Sequence, residues 1–349
     1  MPTTTFTDTT IYEPVVDPEK GGTSLGNSYL STWSRCPRKW YNTYARKVES
    51  STYEGVGIEE FTIGLPLLTG TLFHEALDRY YRSGIQGGED TGNYDLSTAM
   101  NAIQNQWDSQ RKKYASATQA DEDKTRVEDM IRQYHDLKGP GSSQCDYPEL
   151  KIAVDGDGQA LIEQDYRYEL KPGYWYTGRL DGMCWYEGEL MVLEHKTVSA
   201  YGMKQRLNSL DTDPQFTGEI WLAQQAIKSA EVKGVLVNIV LKDRSHSSKY
   251  PLVTREVVRR NDKEIEAWRL GAVNVIDQIN SAMRSHASDT IMVPDWQAEA
   301  INFPLEGQRN GGCHAYGRDC EFLPLCSMPG LEGRLMKQYN MKNRKVKGS

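Results

Sequence analysis

The stretch that most constrains this chain is GRLDGMCWYEGELMVLEHKT, residues 178 to 197. Two apolar runs of strand character flank Glu187-Gly188, a pair suited to a two-residue hairpin turn. With that turn Asp181 faces Glu194 across the ladder, on one side of the sheet and with Cβ atoms ~5 Å apart. Lys196 lies two residues beyond Glu194 and shares its face, because strand side chains alternate. Met183, Trp185, Leu190 and Val192 around them are apolar. Two like charges opposed in a half-buried sheet are destabilising unless a cation or a proton sits between them. A divalent ion meets this need, with hard oxygen ligands and open positions for water and phosphate. Lys196 beside it would orient or help deprotonate a water and stabilise developing negative charge. The plain alternative is an exposed hairpin whose charges are solvated and pair weakly.

A helical histidine bears on that choice. In GTLFHEALDRYYRSG, Leu72, Phe73, Ala76, Leu77 and Tyr80 make one apolar face, and His74 falls on the other side near Asp78 and Tyr81. A core histidine would sit within the apolar face. His74 is therefore either a surface residue or an imidazole offered to the carboxylate pair, a ligand set that suits Mn²⁺ or Mg²⁺.

The rest of the chain places these pieces. Residues 1–24 read as a loose arm, 25–140 as a helical region holding Cys36 and His74, and 141–290 as the core of the fold. Residues 291–333 form a cysteine-bearing segment and 334–349 a basic tail without an acidic residue. Ser28 is expected to cap a first helix and Pro37 to open a second. Helices are expected from Gly70 to Gly84, twice within 95–138, over 213–229 and over 262–285. Strands are expected over 160–170, in the hairpin, over 234–242 and over 255–260. That order predicts an α/β or α+β fold, a mixed central sheet flanked by helices. No apolar run reaches the ~20 residues of a membrane span, and no basic-then-apolar leader opens the chain, so a cytoplasmic protein is expected. The formal net charge of −7 argues against non-specific coating of nucleic acid. Six cysteines in a chain of 349 residues do not read as a disulfide framework without a secretory signal.

In combination these motifs resemble the PD-(D/E)XK nuclease superfamily, in its RecB-like branch. That branch holds CRISPR-associated RecB-like exonucleases, the nuclease domains of AddAB-type helicase–nucleases and many phage exonucleases. GTLFHEAL is similar to the helical histidine motif, GRLDG to the strand with the metal-binding aspartate, and LEHKT to the (D/E)-x-K strand. DPQFTGEIWLAQQ is similar to the following glutamine motif, with Glu219 where an aromatic commonly stands. The resemblance implies a restriction-endonuclease-like core in which His74, Asp181 and Glu194, with the backbone carbonyl of His195, ligate Mg²⁺ or Mn²⁺. It implies that Lys196 positions water and that Gln215 contacts the substrate phosphate or orders the lysine. Glu163 matches a commonly acidic position, either as a partner of the ligands or as a solvent-facing residue of an alternating strand.

The branch often carries an iron–sulfur cluster bound by one cysteine before the core and three after it. Cys36 in SRCPRKWY and Cys313, Cys320 and Cys326 in CHAYGRDCEFLPLC stand in that order, with a six-residue first gap where the best-known members have two. Four soft thiolates from distant segments suit a [4Fe–4S] cluster or a tetrahedral Zn²⁺, and His314 could substitute for one of them. Separate structural cysteines are the plain alternative. Cys145 and Cys184 have no such partners, and Cys184 reads as a core residue.

RCPRKWYNTYARK interleaves Arg35, Arg38, Lys39, Arg46 and Lys47 with Trp40, Tyr41 and Tyr44. Cations for phosphate and rings for bases suit a single-strand channel, with Arg38, Lys39, Trp40 and Tyr41 as the contacts. The alternative is a helix whose rings pack inward and whose charges coat its outside. Lys342, Arg344, Lys345 and Lys347 of the tail would touch the DNA backbone or remain unstructured. The expected function is a metal-dependent DNA exonuclease on single strands or ends, in prokaryotic or phage replication, recombination or repair, with a helicase or recombination protein as partner. A structure-specific endonuclease on the same fold and a non-catalytic DNA-binding or scaffold subunit are the competing readings. No segment marks an oligomer interface.

Overall fold

A computed structural model describes residues 25–46, 48–50, 65–110, 117–138, 147–148, 150–242, 250–317, 319–327 and 339–341. The arm over 1–24, Lys47, Cys145 and the tail residues Lys342, Arg344, Lys345 and Lys347 lie outside them.

In chain order the helices are α1 (Asn27–Arg35), α2 (Pro37–Trp40), α3 (Leu65–Ser83), α4 (Leu96–Gln110), α5 (Ala117–Gln133), α6 (Ala200–Ser209), α7 (Pro214–Ala226), α8 (Asp262–Asp289), α9 (Asp295–Asn302), α10 (Glu306–Arg309) and α11 (Leu323–Ser327). The strands are β1 (Val48–Ser50), β2 (Ile85–Gln86), β3 (Glu89–Asp90), β4 (Leu150–Ile152), β5 (Ile162–Lys171), β6 (Tyr174–Tyr186), β7 (Glu189–Val198), β8 (Val232–Leu241), β9 (Val253–Val258) and β10 (Tyr339–Met341). Contacts divide the chain into two compact units, one of residues 56–166 and 179–266, the other of 1–55, 167–178 and 267–349. The linear segments and the compact units cut the chain differently. The helical region 25–140 is shared out, with Cys36 in one unit and His74 in the other.

The first unit is built on a mixed sheet in the order β4-β6-β7-β8-β9, with β5 also paired to β6. The β7–β8 pair is parallel and the β6–β7 and β8–β9 pairs antiparallel. The hairpin has the expected register: Tyr186 pairs with Glu189 and Gly182 with Leu193. Glu187 and Gly188 both take positive φ, 52° and 79°, the two-residue turn whose twist matches the strands it joins. β7 and β8 read as near-continuous apolar runs because helices cover both sheet faces. Met191 and Leu193 belong to the core with α3, α4 and α5, where Leu72, Phe73, Ala76, Leu77 and Tyr80 are all 2% exposed or less. That is the apolar face expected of α3, although the helix starts five residues before Gly70. On the opposite face of β7, Glu194 and Lys196 meet Gln215 of α7.

In the second unit Pro37 sits at the first turn of α2 and forces its predecessor out of the helical region, so Cys36 is extended (φ −161°, ψ 105°) and separates α1 from α2. Ser28 is not the cap of α1. Gly26 takes that place in an extended conformation, and the Ser28 carbonyl accepts from the Thr32 hydroxyl inside the helix. Trp33, Trp40 and Phe303 form an aromatic core of edge-on and stacked pairs with centroids 5.3 to 6.4 Å apart. Helices α9 and α10 occupy a stretch for which no helix is expected from the sequence. Their buried face includes a charged residue, Glu299, which hides the helical period from a hydrophobic count.

Candidate active site

The first unit gathers two adjoining sets of polar side chains. In the first, the Asp181 carboxylate accepts a hydrogen bond from the backbone N–H of His195 at 2.8 Å, which fixes it against β7. His74 comes from the polar side of α3, and its Nδ1 lies 3.2 Å from Asp181 Oδ1 and 3.6 Å from Glu163 Oε1. Glu163 stands at the second position of β5 with φ +50°, a left-handed conformation that residues with a Cβ seldom adopt. Its neighbour Ile162 is pinned there, with its carbonyl accepting from Arg82 Nη2 at 2.7 Å, while Arg82 Nε donates to Asp78 at 2.6 Å. One ligand atom each from His74, Glu163 and Asp181 lies within 4.8 Å of the others, as one shared cation requires. An imidazole nitrogen and two carboxylate oxygens suit Mg²⁺ or Mn²⁺, so the donor set fits a divalent ion.

The electrostatics fit the same use. Burial opposes charge on His74, but Asp181 and Glu163 outweigh it and raise the imidazole well above its usual pKa. Burial would raise Asp181, yet His74 first and Lys196 further off hold it below the usual carboxylate range. A proton on His74 thus stands where the pair needs positive charge, the role a metal ion would take.

In the second set, alternation along β7 turns Glu194 and Lys196 to one face. Lys196 Nζ donates to Glu194 Oε1 and, at 3.2 Å, to Gln215 Oε1. The Gln215 amide donates to Glu194 Oε1 at 3.0 Å and to Glu219 Oε1 at 2.7 Å. Gln215 is placed by the start of α7, where Asp213 caps the helix by accepting from the Gln215 N–H at 3.0 Å and Pro214 opens the first turn. Burial first and Asp181 second push the Glu194 carboxyl up to about 7. Burial would lower Lys196, but Glu194 and Glu219 more than offset it and keep the ammonium charged. Two residues of LEHKT therefore serve this pocket, and the third does not: the His195 ring points to the other face, 5.7 Å from Tyr81 in a stack and edge-on to Tyr134 at 6.1 Å. Burial drives its pKa down to about 3, so it is neutral, and both ring nitrogens are enclosed without a hydrogen-bond partner.

The residues expected at a DNA channel lie elsewhere. Arg38 is buried in the second unit, with Nη1 2.8 Å from Glu299 and Nε donating to the Phe303 carbonyl at 3.0 Å. Trp40 is 1% exposed, and Tyr41 stacks on Phe303 with centroids 4.1 Å apart. Enclosed rings and a paired guanidinium have no free surface for bases or phosphate, so the inward-packing alternative holds for these three. Lys39 keeps part of its surface and pairs with Glu321 at 3.0 Å.

The four expected cysteines do converge in that unit. A Cβ at Gly307 would lie 3.2 Å from Cys313 Sγ and 3.4 Å from Cys36 Sγ, so a larger residue there would press on both sulfurs. The Cys320 N–H donates to the Cys313 carbonyl at 2.7 Å, and the Cys326 thiol feels the other three sulfurs. Burial first raises that thiol to about 12. None of the four is in a disulfide. Soft thiols are the donor type of a cluster or a zinc ion, but no three of these sulfurs, all among the described residues, lie within 4.8 Å of one another as a single zinc ion would need. His314 instead pairs with Asp319 at 2.7 Å on the surface, and Cys184 is a fully buried core residue, as expected.

The family model of the PD-(D/E)XK nuclease superfamily matches residues 24–327. The chain belongs to the PD-(D/E)XK nuclease superfamily. Membership implies a metal-dependent nuclease, a hydrolase with DNA as substrate, on the mixed α/β architecture described above. No curated protein matches the chain significantly. No described helix is long and apolar enough to cross a membrane.

Sequence reasoning left Glu163 balanced between site and surface, and read Glu219 only as a departure from the motif. For Glu219 a signal was present: it lies one helical turn from Gln215, on the same face.

Proposed function

We propose that this PD-(D/E)XK nuclease is an exonuclease that hydrolyses DNA from ends, with single strands as the preferred form, in recombination, repair or replication. The observation that carries the catalytic part is the convergence of His74, Glu163 and Asp181 beside a lysine held by Glu194 and Gln215. The end-dependent part rests on the resemblance to RecB-like exonucleases.

His74, Glu163 and Asp181 would hold Mg²⁺ or Mn²⁺, with Glu194 and the His195 carbonyl completing the set. When bound, the cation supplies Lewis acidity and makes water a nucleophile near neutral pH. The chain's own groups do the rest. Lys196 Nζ presents its remaining N–H to the attacking water and offsets charge that builds on the phosphate oxygens. Glu194 accepts the hydrogen bond that holds the Lys196 ammonium beside that water. Gln215 holds Lys196 in place for the scissile phosphate.

The test is degradation of end-labelled linear single-stranded DNA with Mn²⁺, beside a covalently closed circular strand. An exonuclease removes the linear strand and leaves the circle intact. Cutting of the circle would make the protein an endonuclease, and inertness toward every DNA form would favour a binding subunit.

We further propose that Cys36, Cys313, Cys320 and Cys326 bind a [4Fe–4S] cluster, with Zn²⁺ as the competing occupant. The cluster would be a staple coupled to folding, since its ligands come from both ends of the chain. Anaerobically purified protein should contain iron and sulfide, and Cys36→Ala should lose iron and thermal stability together. Zinc without iron would exchange the assignment, and full iron content in the variant would contradict it.

A further inference from the structure

Glu219 is the unexplained group of the site. It lies on α7, 6% exposed, yet no cation touches it among the described contacts, and its Oε2 is enclosed without a hydrogen-bond partner. Burial first and Glu194 second raise its carboxyl well above the usual range, and even a neutral acid with one oxygen unpartnered is costly to bury, so a stable fold alone would favour an apolar residue there. What Glu219 does hold is the Gln215 amide, at 2.7 Å.

That amide is fully committed. One N–H goes to Glu194 Oε1, the other to Glu219 Oε1, and its carbonyl oxygen accepts from Lys196 Nζ. A half-turn about the amide would aim the carbonyl at two carboxylates and the NH₂ group at an ammonium. Glu219 therefore raises the cost of the wrong orientation and supplies the acceptor that satisfies the second N–H. Without it the amide is free to turn, Lys196 loses its second anchor, and Nζ collapses into a two-body pair with Glu194. The ammonium would then be drawn away from the water it serves.

We propose that Glu219 is a positioning residue of the nuclease site, acting through the Gln215 amide to hold Lys196 in its working place. This rests on the nuclease reading above. Here the chain uses an acceptor where an aromatic commonly stands in the motif.

The experiment measures kcat and KM on linear single-stranded DNA with Mn²⁺ for the full-length protein, Glu219→Gln, Glu219→Leu, Gln215→Ala and the Gln215→Ala/Glu219→Leu pair. Outer partners of a metal site are typically worth about 10- to 100-fold in activity. Glu219→Leu should lose that much in kcat with KM changed by less than about twofold, since the contact serves chemistry and not binding. Glu219→Gln, which keeps the acceptor oxygen, should recover most of the rate. The double variant should be no slower than Gln215→Ala alone, because both act through one amide. Additive losses, or a Glu219→Leu enzyme as fast as wild type, would overturn the proposal. A parallel reading does not need activity: the Gln215 side-chain NH₂ signals in ¹H–¹⁵N spectra, identified by their absence in Gln215→Ala, should move in Glu219→Leu and stay near place in Glu219→Gln. Unmoved signals in Glu219→Leu refute the positioning role even in an inactive protein. Inactive wild type with moved signals leaves the contact standing and removes the nuclease reading instead.

Discussion

Two buried glutamates, one in each unit, show how the same residue serves different ends. Glu299 on α9 is 4% exposed and faces two guanidinium groups, Arg38 at 2.8 Å and Arg46 at 3.0 Å. Glu219 on α7 is as deeply buried and has an amide on one oxygen and nothing described on the other. A matched pair of buried charges is costly to break from one side but does no chemistry. A carboxyl pushed well above its usual range by burial and by Glu194, with one oxygen unpartnered, marks a place where a cation and a phosphate are to arrive. The teaching is that burial of charge marks structure where partners balance it and a working site where they do not.

Substitutions break this contrast in opposite directions. The largest effect is expected for Lys196→Ala, which removes the group that positions water: activity should fall by about 10²- to 10⁴-fold, the usual range for a general acid–base or positioning group. Its thermal stability should stay close to wild type or rise, because the carboxylates it leaves can take protons. Glu299→Gln should do the reverse. Leaving Arg38 buried without its counter-charge costs on the order of 3–5 kcal/mol, read as a lower denaturation midpoint, while the folded fraction keeps its specific activity. A variant that loses activity with no loss of stability would bring Glu299 into the site and dissolve the distinction.

A smaller effect follows from the Glu194 carboxyl, raised from about 4.5 to about 7 by burial and by Asp181. Between those values the metal-free folded state binds more protons than the unfolded chain, so its stability contribution declines as pH rises through the window and levels off above it. Metal competes with the same proton. Apparent Mn²⁺ affinity, followed by calorimetry, should therefore climb from pH 5 to about 7 and go on climbing above it, since the raised His74 imidazole must also give up its proton. A pH-independent affinity over that range would take Glu194 out of the ligand set.

Much of the first unit was legible because its patterns are local. The hairpin register follows from one Glu-Gly turn, and the apolar face of α3 from five residues over three turns. Glu163 was not, since alternation leaves either face open and a left-handed φ at a glutamate leaves no trace in composition. The run RCPRKWY misled for a different reason. Cations between aromatic rings suit a nucleic-acid groove and a core equally well until the counter-charge is known, and Glu299 lies 261 residues from Arg38 along the chain. The charge of Glu299 on its buried face also concealed α9.

The measurement closest to the central claim is Mn²⁺ binding followed by electron paramagnetic resonance for wild type, Glu163→Gln and Asp181→Asn, with nuclease activity assayed on the same samples. The account predicts one site in wild type, affinity about 10-fold or more weaker in Glu163→Gln and nearly lost in Asp181→Asn, and activity falling in the same order. Equal Mn²⁺ affinity in all three proteins would contradict it, and the metal would then have to be sought away from His74, Glu163 and Asp181.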